Sequence, residues 1–489
     1  MVKQRWKFGA LIRISLSLSM RAWLLLSASV VASALAPVGS SVTLTSGQEQ
    51  AIVRPHAVTL TSDNNKRTPF SGGVKLPSLK AAFLPAGWPQ SVPEEYLRFQ
   101  QLNCLQDACS YMRTVIATKA ILAGMGVGNA ETTATAATVM WFLRDGFGML
   151  GGLIFASASS LKFGPNSKQW RIFADGINNV GITLEVLAPV FSAKKSMFLF
   201  CLSVASICKA LCGVAAGATN AAIGEHWGSK RGNFAEIASK NGIQHTAVSL
   251  LCLVVSVPFI RLTGSVNTAT TWLIYGVLTA AHMVANLAAM RMLALRSLNF
   301  NRLSILIGRF LALRAGGAAL ATEQEAASMS PAAVARVDPL LLWSCPREAQ
   351  PRAGFSLLYW ASLKTILKEC EPSAIIRSVA LYSNQGYILA PSRNNRTVVV
   401  SMKAQSDGED QVKALFEAHR LRQALFANAM MQENGDSVKS EHALDDLLQR
   451  VRTECDAEWN LFWSTMRRLD WDTTRLQLQP PKAATIQVS

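Results

Sequence analysis

Acidic residues are missing from two long parts of this sequence. None precedes Glu49, and none lies between the uncharged run that ends before Arg291 and Glu323. Charge of either sign is sparse: only 16% of the 489 residues are Asp, Glu, Lys or Arg, against about 25% in an ordinary soluble domain. With 50% hydrophobic residues and a mean hydropathy of +0.22, disordered and fibrous classes are excluded, because such chains are poor in apolar residues. The nine cysteines form no Cys-x-x-Cys pair, which excludes a zinc ribbon and a thioredoxin-like dithiol. They read as buried reduced thiols. Also absent are a Gly-x-Ser-x-Gly elbow, a His-Glu-x-x-His pair and a phosphate-binding Walker string. The six histidines (His56, His226, His245, His282, His419, His442) show no ligand spacing. No catalytic residue, metal or cofactor is expected, so the chain reads as non-enzymatic.

What is present is a positive excess in apolar surroundings. The formal net charge is +17, of which residues 1–100 contribute +7, residues 101–300 contribute +8 and residues 301–489 only +2. A nucleic-acid-binding protein would carry such charge on a polar domain interleaved with aromatics. A membrane protein fits better.

Five domains follow from composition. Residues 1–36 read as a signal peptide: Lys3, Arg5, Lys7, Arg13 and Arg21 precede an apolar run, Ala22 to Leu35, that ends in small residues. Residues 37–80, with 11 Ser or Thr, 5 Lys or Arg and two acids, have the composition of a transit peptide, a low-order segment. Together they resemble the two-part plastid presequence of algae with secondary plastids, Ala32-Ser33-Ala34-Leu35-Ala36-Pro37 being similar to its junction. A secretory-pathway membrane is the alternative address. Residues 81–315 form a hydrophobic helical core, in which Ser91 and Glu94 read as a capping box. Residues 316–350 are a linker, and 351–489 a C-terminal α+β domain.

Within the core, the uncharged residues 241–260 and 262–290 are each long enough to span a bilayer and close enough to form a helical hairpin. Residues 146–161 and 196–224 are weaker candidates that would equally suit buried helices. Gly124/Gly128, Gly148/Gly152 and Gly213/Gly217 share the spacing that lets helices approach closely. Arg291, Arg296, Arg302, Arg309 and Arg314 then follow the last span, as a solvated basic face or as ligands for lipid headgroups. Gly146 to Gly151 fits the dinucleotide string but lacks a preceding strand, so an oxidoreductase is kept only to be eliminated. Two charged pairs stand out in apolar sequence, Arg144 with Asp145 and Arg171 with Asp175. If they lie inside the bundle, the expected pairing crosses between segments, Arg144 with Asp175 and Asp145 with Arg171.

These residues also carry a resemblance. Phe83-Leu84-Pro85-x-Gly87-Trp88-Pro89, the block from Trp141 through Arg144, Asp145 and Gly148 to Gly152, Trp170-Arg171-x-x-Ala174-Asp175 with Asn178 and Asn179, Gly217-Ala218-Thr219 with His226, and Asn233-Phe234 through Lys240 closely resemble the root UV-B sensitive protein family. Departures are Asn220 for Arg, Trp227 for Phe and Glu236 for Asp. The resemblance implies a eukaryotic membrane protein, often of plastids, linked to light or UV-B responses, development, auxin transport and vitamin B6 homeostasis, and acting with a paralogous family member. It implies no settled catalytic activity. A carrier for a small anionic solute, using buried arginines, is the alternative function. Membrane lipids are the other expected partner.

From Val379 the pattern turns strand-like, with Val379–Ser383, Gly386–Ala390 and Thr397–Ser401 as short alternating runs. Two helices follow, one with Val412, Leu415, Phe416, His419 and Phe426 on a stripe, the other with Leu444, Leu448, Val451, Cys455, Trp459, Phe462 and Met466. His419 reads as a satisfied core histidine.

Overall fold

The computed structural model describes residues 79–126, 134–342, 344–347, 350, 354–433 and 441–478, with the strand segments 42–46, 49–54, 57–61, 67–70 and 485–486. The signal-peptide reading of residues 1–36 and Gly128 lie outside the described residues. In chain order come β1 (Val42–Ser46), β2 (Glu49–Arg54), β3 (Ala57–Thr61), β4 (Arg67–Phe70), α1 (Leu79–Phe83), α2 (Tyr96–Gly124), α3 (Ala134–Ser159), α4 (Ser167–Leu187), α5 (Lys195–Gly228), α6 (Phe234–Ser265) and α7 (Thr268–Met292). They continue with β5 (Ser297–Asn299), α8 (Phe300–Ala315), α9 (Glu323–Ala326), α10 (Pro331–Ala335), β6 (Ser356–Leu358), α11 (Leu363–Glu369), α12 (Pro372–Leu381), β7 (Tyr387–Pro391), β8 (Thr397–Lys403), α13 (Gly408–Glu433), α14 (Glu441–Arg468), β9 (Asp472–Gln477) and β10 (Thr485–Ile486). The chain is mostly helical, with small sheets. Among the described residues, four helices are long and apolar enough to cross a membrane: Thr138–Lys162, Lys195–Gly228, Phe234–Ser265 and Thr268–Met292. The two weaker candidates thus join the two strong ones.

The chain divides into two compact units, Met1–Glu94 with Trp227–Thr271, and Glu95–His226 with Trp272–Ser489. In the smaller unit, β1 to β4 form an antiparallel meander in sequence order, where a low-order segment is expected. The local reason is a period-two alternation of apolar residues with Thr, as in Val42-Thr43-Leu44-Thr45 and Val58-Thr59-Leu60-Thr61. α6 belongs to the same unit, and α1 rests against it.

The larger unit holds the other three long helices. α3 lies against α5 through its glycines: a Cβ on Gly148 would collide with Ser206, one on Gly151 would stand 2.9 Å from the Ile207 side chain, and one on Gly152 would stand 3.3 Å from Ala210. The close packing expected of the Gly148/Gly152 spacing is therefore present. Gly213 and Gly217 differ, with nothing within 4 Å of either. Phe155, Phe163, Trp170 and Phe173 interlock at centroid separations of 5.0–6.0 Å, four of the pairs edge to face and Phe155–Phe173 tilted, joining α3 to α4.

Several local expectations are corrected. The helix after Ser91 starts at Tyr96, its cap position is Glu95, and no side-chain cap forms; a capping box forms instead at Thr322 with Glu325, at α9. Within residues 316–350, read from sequence as a linker, Leu320 before α9, Ala326 of α9, Met329 after it and Val334 of α10 are buried in one core with α8, α13 and α14. Val379–Leu381 close α12 rather than open a strand, because Pro372 at the first turn starts a helix that runs through them. β7 and β8 do form, as an antiparallel pair, with β6 and β10 parallel to β8. β5 and β9 form a separate parallel pair.

Candidate functional site

Four helices of the larger unit converge on a buried polar cluster. α4 is its spine, because Arg171, Asp175, Asn179 and Thr183 recur every four residues and so share one face. Asp175 Oδ2 accepts from Arg171 Nε at 3.3 Å and from Asn286 Nδ2, on α7, at 2.6 Å. Arg171 also donates to Asn220 Oδ1 on α5, and its Nη2 reaches Asn103 Oδ1 on α2 at 3.5 Å. Asn179 Oδ1 accepts from Arg113 Nη1 of α2. Thr183 Oγ1 and the Tyr275 hydroxyl of α7 lie 2.7 Å apart. Two residues on, Glu185 accepts from Lys209 Nζ of α5 with both oxygens, at 3.0 and 3.1 Å.

Arg113, His282 and Asn286 are fully or almost fully buried. Burial pulls the Arg113 guanidinium below its ordinary range, and Tyr275, Cys109 and Asp175 hold it up. Its Nε donates to Cys109 O at 3.4 Å, while Nη2 has no hydrogen-bond partner. Neither has His282 Nδ1 nor Asn286 Oδ1.

The expected pairings do not form. Arg144 is held by its neighbour Asp145 at 2.8 Å, with Asp145 41% exposed, and its guanidinium lies 4.0 Å over the Trp141 ring. Arg171 is held by Asp175 of its own helix. The reason is local reach: a long guanidinium bends to an adjacent carboxylate more cheaply than it crosses a bundle. Gly146 to Gly151 lie wholly inside α3, without the strand and loop that a nucleotide site needs.

Of the residues singled out from sequence, the structure brings together Arg171, Asp175 and Asn179; Asn178 is half-buried beside them. Thr219 donates back to Ala215 O and Ala216 O of its own helix. His226 Nε2 lies 3.2 Å from Glu95 Oε1, which also accepts from the Ala294 amide. Burial would push the Glu95 carboxyl up, but these two contacts more than offset it and hold it low. Asn233 and Lys240 serve the smaller unit. There Glu236 accepts from Asn233 Nδ2 and from the Ala86 amide, Arg231 donates to Ala86 O, Lys240 to Ala82 O, and Gln244 to Phe83 O. The proline-rich motif after Phe83 and the motif around Asn233 are thus halves of one clasp. Gly87 supplies the φ of +74° that the clasp requires.

Arg113, Asn103, Tyr275, His282 and Asn286 were not singled out from sequence. A signal existed for three of them: Tyr275, His282 and Asn286 recur at steps of seven and four along an otherwise apolar helix, which places them on one face.

The basic residues behind the last span make contacts within the chain. Arg291 donates to the carbonyls of Arg336 and Asp338, Arg296 pairs with Asp470, Arg309 donates to Ser328 O, and Arg314 pairs with Glu458. Arg302 and Lys168 are both buried and both approach Asp338 Oδ2, at 3.5 and 3.4 Å. Burial pulls Lys168 down to about 8, although Asp338 holds it up. Each arginine fastens the helical half of the unit to the segments that follow it.

The fold and this site define a class: a mostly helical protein with four apolar helices among the described residues, a polar cluster within its larger unit and a small helix-and-sheet C-terminal region. Residues 74–314 match the family model of the vitamin B6 photo-protection and homoeostasis domain, and residues 355–482 that of the root UVB sensitive protein C-terminal region. Protein root UVB sensitive 3 of Arabidopsis thaliana is 31% identical over 376 residues, covering 76% of this chain and 81% of the relative. RUS family member 1 of Dictyostelium discoideum is 37% identical over 232 residues, 47% of this chain and 43% of the relative. Protein root UVB sensitive 2, chloroplastic, of Arabidopsis thaliana is 30% identical over 232 residues, 47% of this chain and 51% of the relative. The chain belongs to the root UVB sensitive family. No solved structure matches it.

Proposed function

We propose that this chain is a non-enzymatic, membrane-embedded factor of a plastid membrane that acts with a paralogous family member. The observation that carries the membrane reading is the apolar surface of the long helices. On α3, Phe142 is 72%, Met149 76% and Leu153 70% exposed, and Leu161 just after it is 81% exposed. Leu253, Val254 and Val257 on α6 and Leu273, Val277 and Val284 on α7 are exposed as well. Apolar surface on that scale along single helices is rare on a soluble monomer, and lipid would cover it. The plastid address rests on the chloroplastic relative and the presequence composition, and the paralogous partner on the family resemblance. In alkaline carbonate extraction the full chain should stay in the membrane pellet, and residues 1–80 fused to a fluorescent protein should reach the plastid. Release into the supernatant ends the membrane reading; secretion of the fusion ends the plastid one.

A second reading, a carrier for a small anionic solute, is favoured by the guanidiniums of Arg113 and Arg171 in the polar cluster, the first held by neutral acceptors and the second by Asp175. A phosphorylated vitamin B6 form is one solute to test, given the domain description. Its flux into proteoliposomes, against liposomes without protein, decides it.

A further inference from the structure

We propose that Lys168, Arg302 and Asp338 form a proton-controlled latch between the helical and C-terminal halves of the larger unit, closed when Lys168 is a neutral amine and loosened when it is an ammonium.

The three side chains come from three elements. Lys168 stands in the first turn of α4, on the helix that carries Arg171 and Asp175 of the polar cluster. Arg302 stands in the first turn of α8, whose Leu303, Leu306 and Phe310 are buried in the C-terminal core. Asp338 follows α10, its amide donating to Val334 O at 2.9 Å. Lys168 Nζ and Arg302 Nε approach the same oxygen, Asp338 Oδ2, at 3.4 and 3.5 Å, and none of the three side chains is more than 4% exposed. One carboxylate therefore faces two buried cations. Arg302 has further acceptors: Nη1 donates to Ser297 O and Ser297 Oγ, and Nη2 to Pro165 O. Lys168 Nζ makes no hydrogen bond among the described residues.

Electrostatics decides which proton moves. A guanidinium keeps its proton at any pH a protein meets, whereas a buried ammonium can shed one. Loss of that proton leaves Arg302 and Asp338 as a balanced pair and removes a charge that burial penalises. Burial lowers Lys168 to about 8; Asp338 opposes the fall, and Arg302 and Arg291 add to it. Around the three, Arg291 of α7 donates to the carbonyls of Arg336 and Asp338, and Gln169 Nε2 to Ser344 O. His226 of α5 feels Arg302 and lies 3.2 Å from Glu95, a carboxylate that the Ala294 amide also occupies. Freed into water, Lys168 returns to about 10.4. The closed form thus releases near pH 8 a proton that the open form still holds, so closure strengthens as pH rises and weakens as pH falls. The opening constant should stay level below pH 7, where both forms are protonated, and fall about tenfold from pH 7 to pH 9.

The test reads the opening at Leu340, which is 5% exposed and two residues past Asp338. The full chain with Leu340→Cys, in nanodiscs of phosphatidylcholine, is treated with iodoacetamide from pH 6 to pH 9. Alkylation at position 340 is located by peptide mass spectrometry. Its rate is divided by that of the urea-unfolded chain at the same pH, which removes the titration of the thiol itself. A level ratio up to pH 7 and a fall of about tenfold by pH 9 are expected. Lys168→Met should hold the ratio low at every pH, and Lys168→Arg, which keeps the charge, should hold it at the pH 7 level. The same slope in either variant, or no slope with Lys168 in place, overturns the latch. If Leu340→Cys or Lys168→Met does not yield monodisperse protein, thermal unfolding of the unaltered chain and of Lys168→Arg decides: the gap between their midpoints should widen from pH 7 to pH 9. A constant gap overturns the proposal. So does a widening gap with position 340 indifferent to pH, because the proton is then not coupled to this segment.

Discussion

The helical and C-terminal halves of the larger unit both bury ionisable groups, and they treat them differently. In the C-terminal half, Glu417 is almost fully buried, and each of its oxygens accepts a hydroxyl at 2.7 Å, from Tyr382 and from Tyr387. Burial raises the carboxyl and the two hydroxyls only partly hold it down. His419 meets the Tyr359 hydroxyl at 2.8 Å, and burial with Arg422 nearby pushes its ring down to about 3, so it stays neutral. Around them Phe310, Phe416, Trp459 and Phe462 close a dense aromatic core. In the helical half, by contrast, Asp175 pairs with Arg171 while Arg113 rests on the neutral acceptors Asn179 Oδ1 and Cys109 O, and Arg113, His282 and Asn286 keep unmet atoms. Unmet buried atoms occur in both halves, Ser378 Oγ, Trp463 Nε1 and Thr465 Oγ1 being among those of the C-terminal half; what differs is that the helical half holds the Arg113 guanidinium on neutral acceptors.

The largest expected effect tests that contrast directly. Asp175→Ala strands Arg171 and the Asn286 amide in a low-dielectric core, and should cost about 3–5 kcal/mol. Glu417→Ala strands only two neutral hydroxyls, and should cost about 1–3 kcal/mol. Thermal unfolding of the two variants, purified in the same detergent, measures the difference. Equal losses would mean that the helical half has no electrostatic hub, and the comparison above would fall.

How much of this was legible beforehand depended on what kind of signal the residues carry. Long uncharged runs and the stripes of α13 and α14 read correctly, because burial of one helix face imposes its period on the sequence. Composition also marked Arg171 and Asp175, since charge in an apolar run is conspicuous. Their partners were not legible: which cation meets which carboxylate depends on helix rotation and side-chain reach, and Arg144 took Asp145 at its own helix turn. Arg113 escaped because α2 has mixed composition, so one more arginine there looks ordinary. His282 and Asn286 escaped because neutral polar residues hardly lower the apolar character of a span. Val379–Ser383 misled because β-branched alternation is only a weak preference, overridden here by Pro372 at the start of the helix.

A middle-sized effect separates the two kinds of glycine in the helical half. Gly148→Ala and Gly151→Ala insert a methyl group where Ser206 and Ile207 already stand. Overpacking of this kind costs about 1–3 kcal/mol, and it should also loosen α3 from α5. Cysteines placed at Gly152 and Ala210, whose contact would be 3.3 Å from the added Cβ, should crosslink in the wild-type background and less in Gly148→Ala. Undiminished crosslinking would show that the glycines of α3 are not what brings these helices together.

The smallest effect has the opposite sign. Gly213 sits on α5 a few residues past Ala210, yet nothing lies within 4 Å of a Cβ added there. Glycine in a helix interior costs about 0.5–1 kcal/mol relative to alanine, through the freedom of the unfolded chain. Gly213→Ala should therefore stabilise the purified protein by that amount, while the neighbouring contact of Gly151 with Ile207 is left unchanged. The same variant probes what covers this face in the membrane. If lipid covers it, stability rises and partner capture from the native membrane is unaffected. If a helix of a paralogous partner packs there, the added methyl group raises the stability of the isolated chain but weakens the captured complex, as close approach of two helices in lipid depends on small residues at the contact. A fall in the stability of the isolated chain fits neither, and would mean that Gly213 faces the interior of the chain's own bundle.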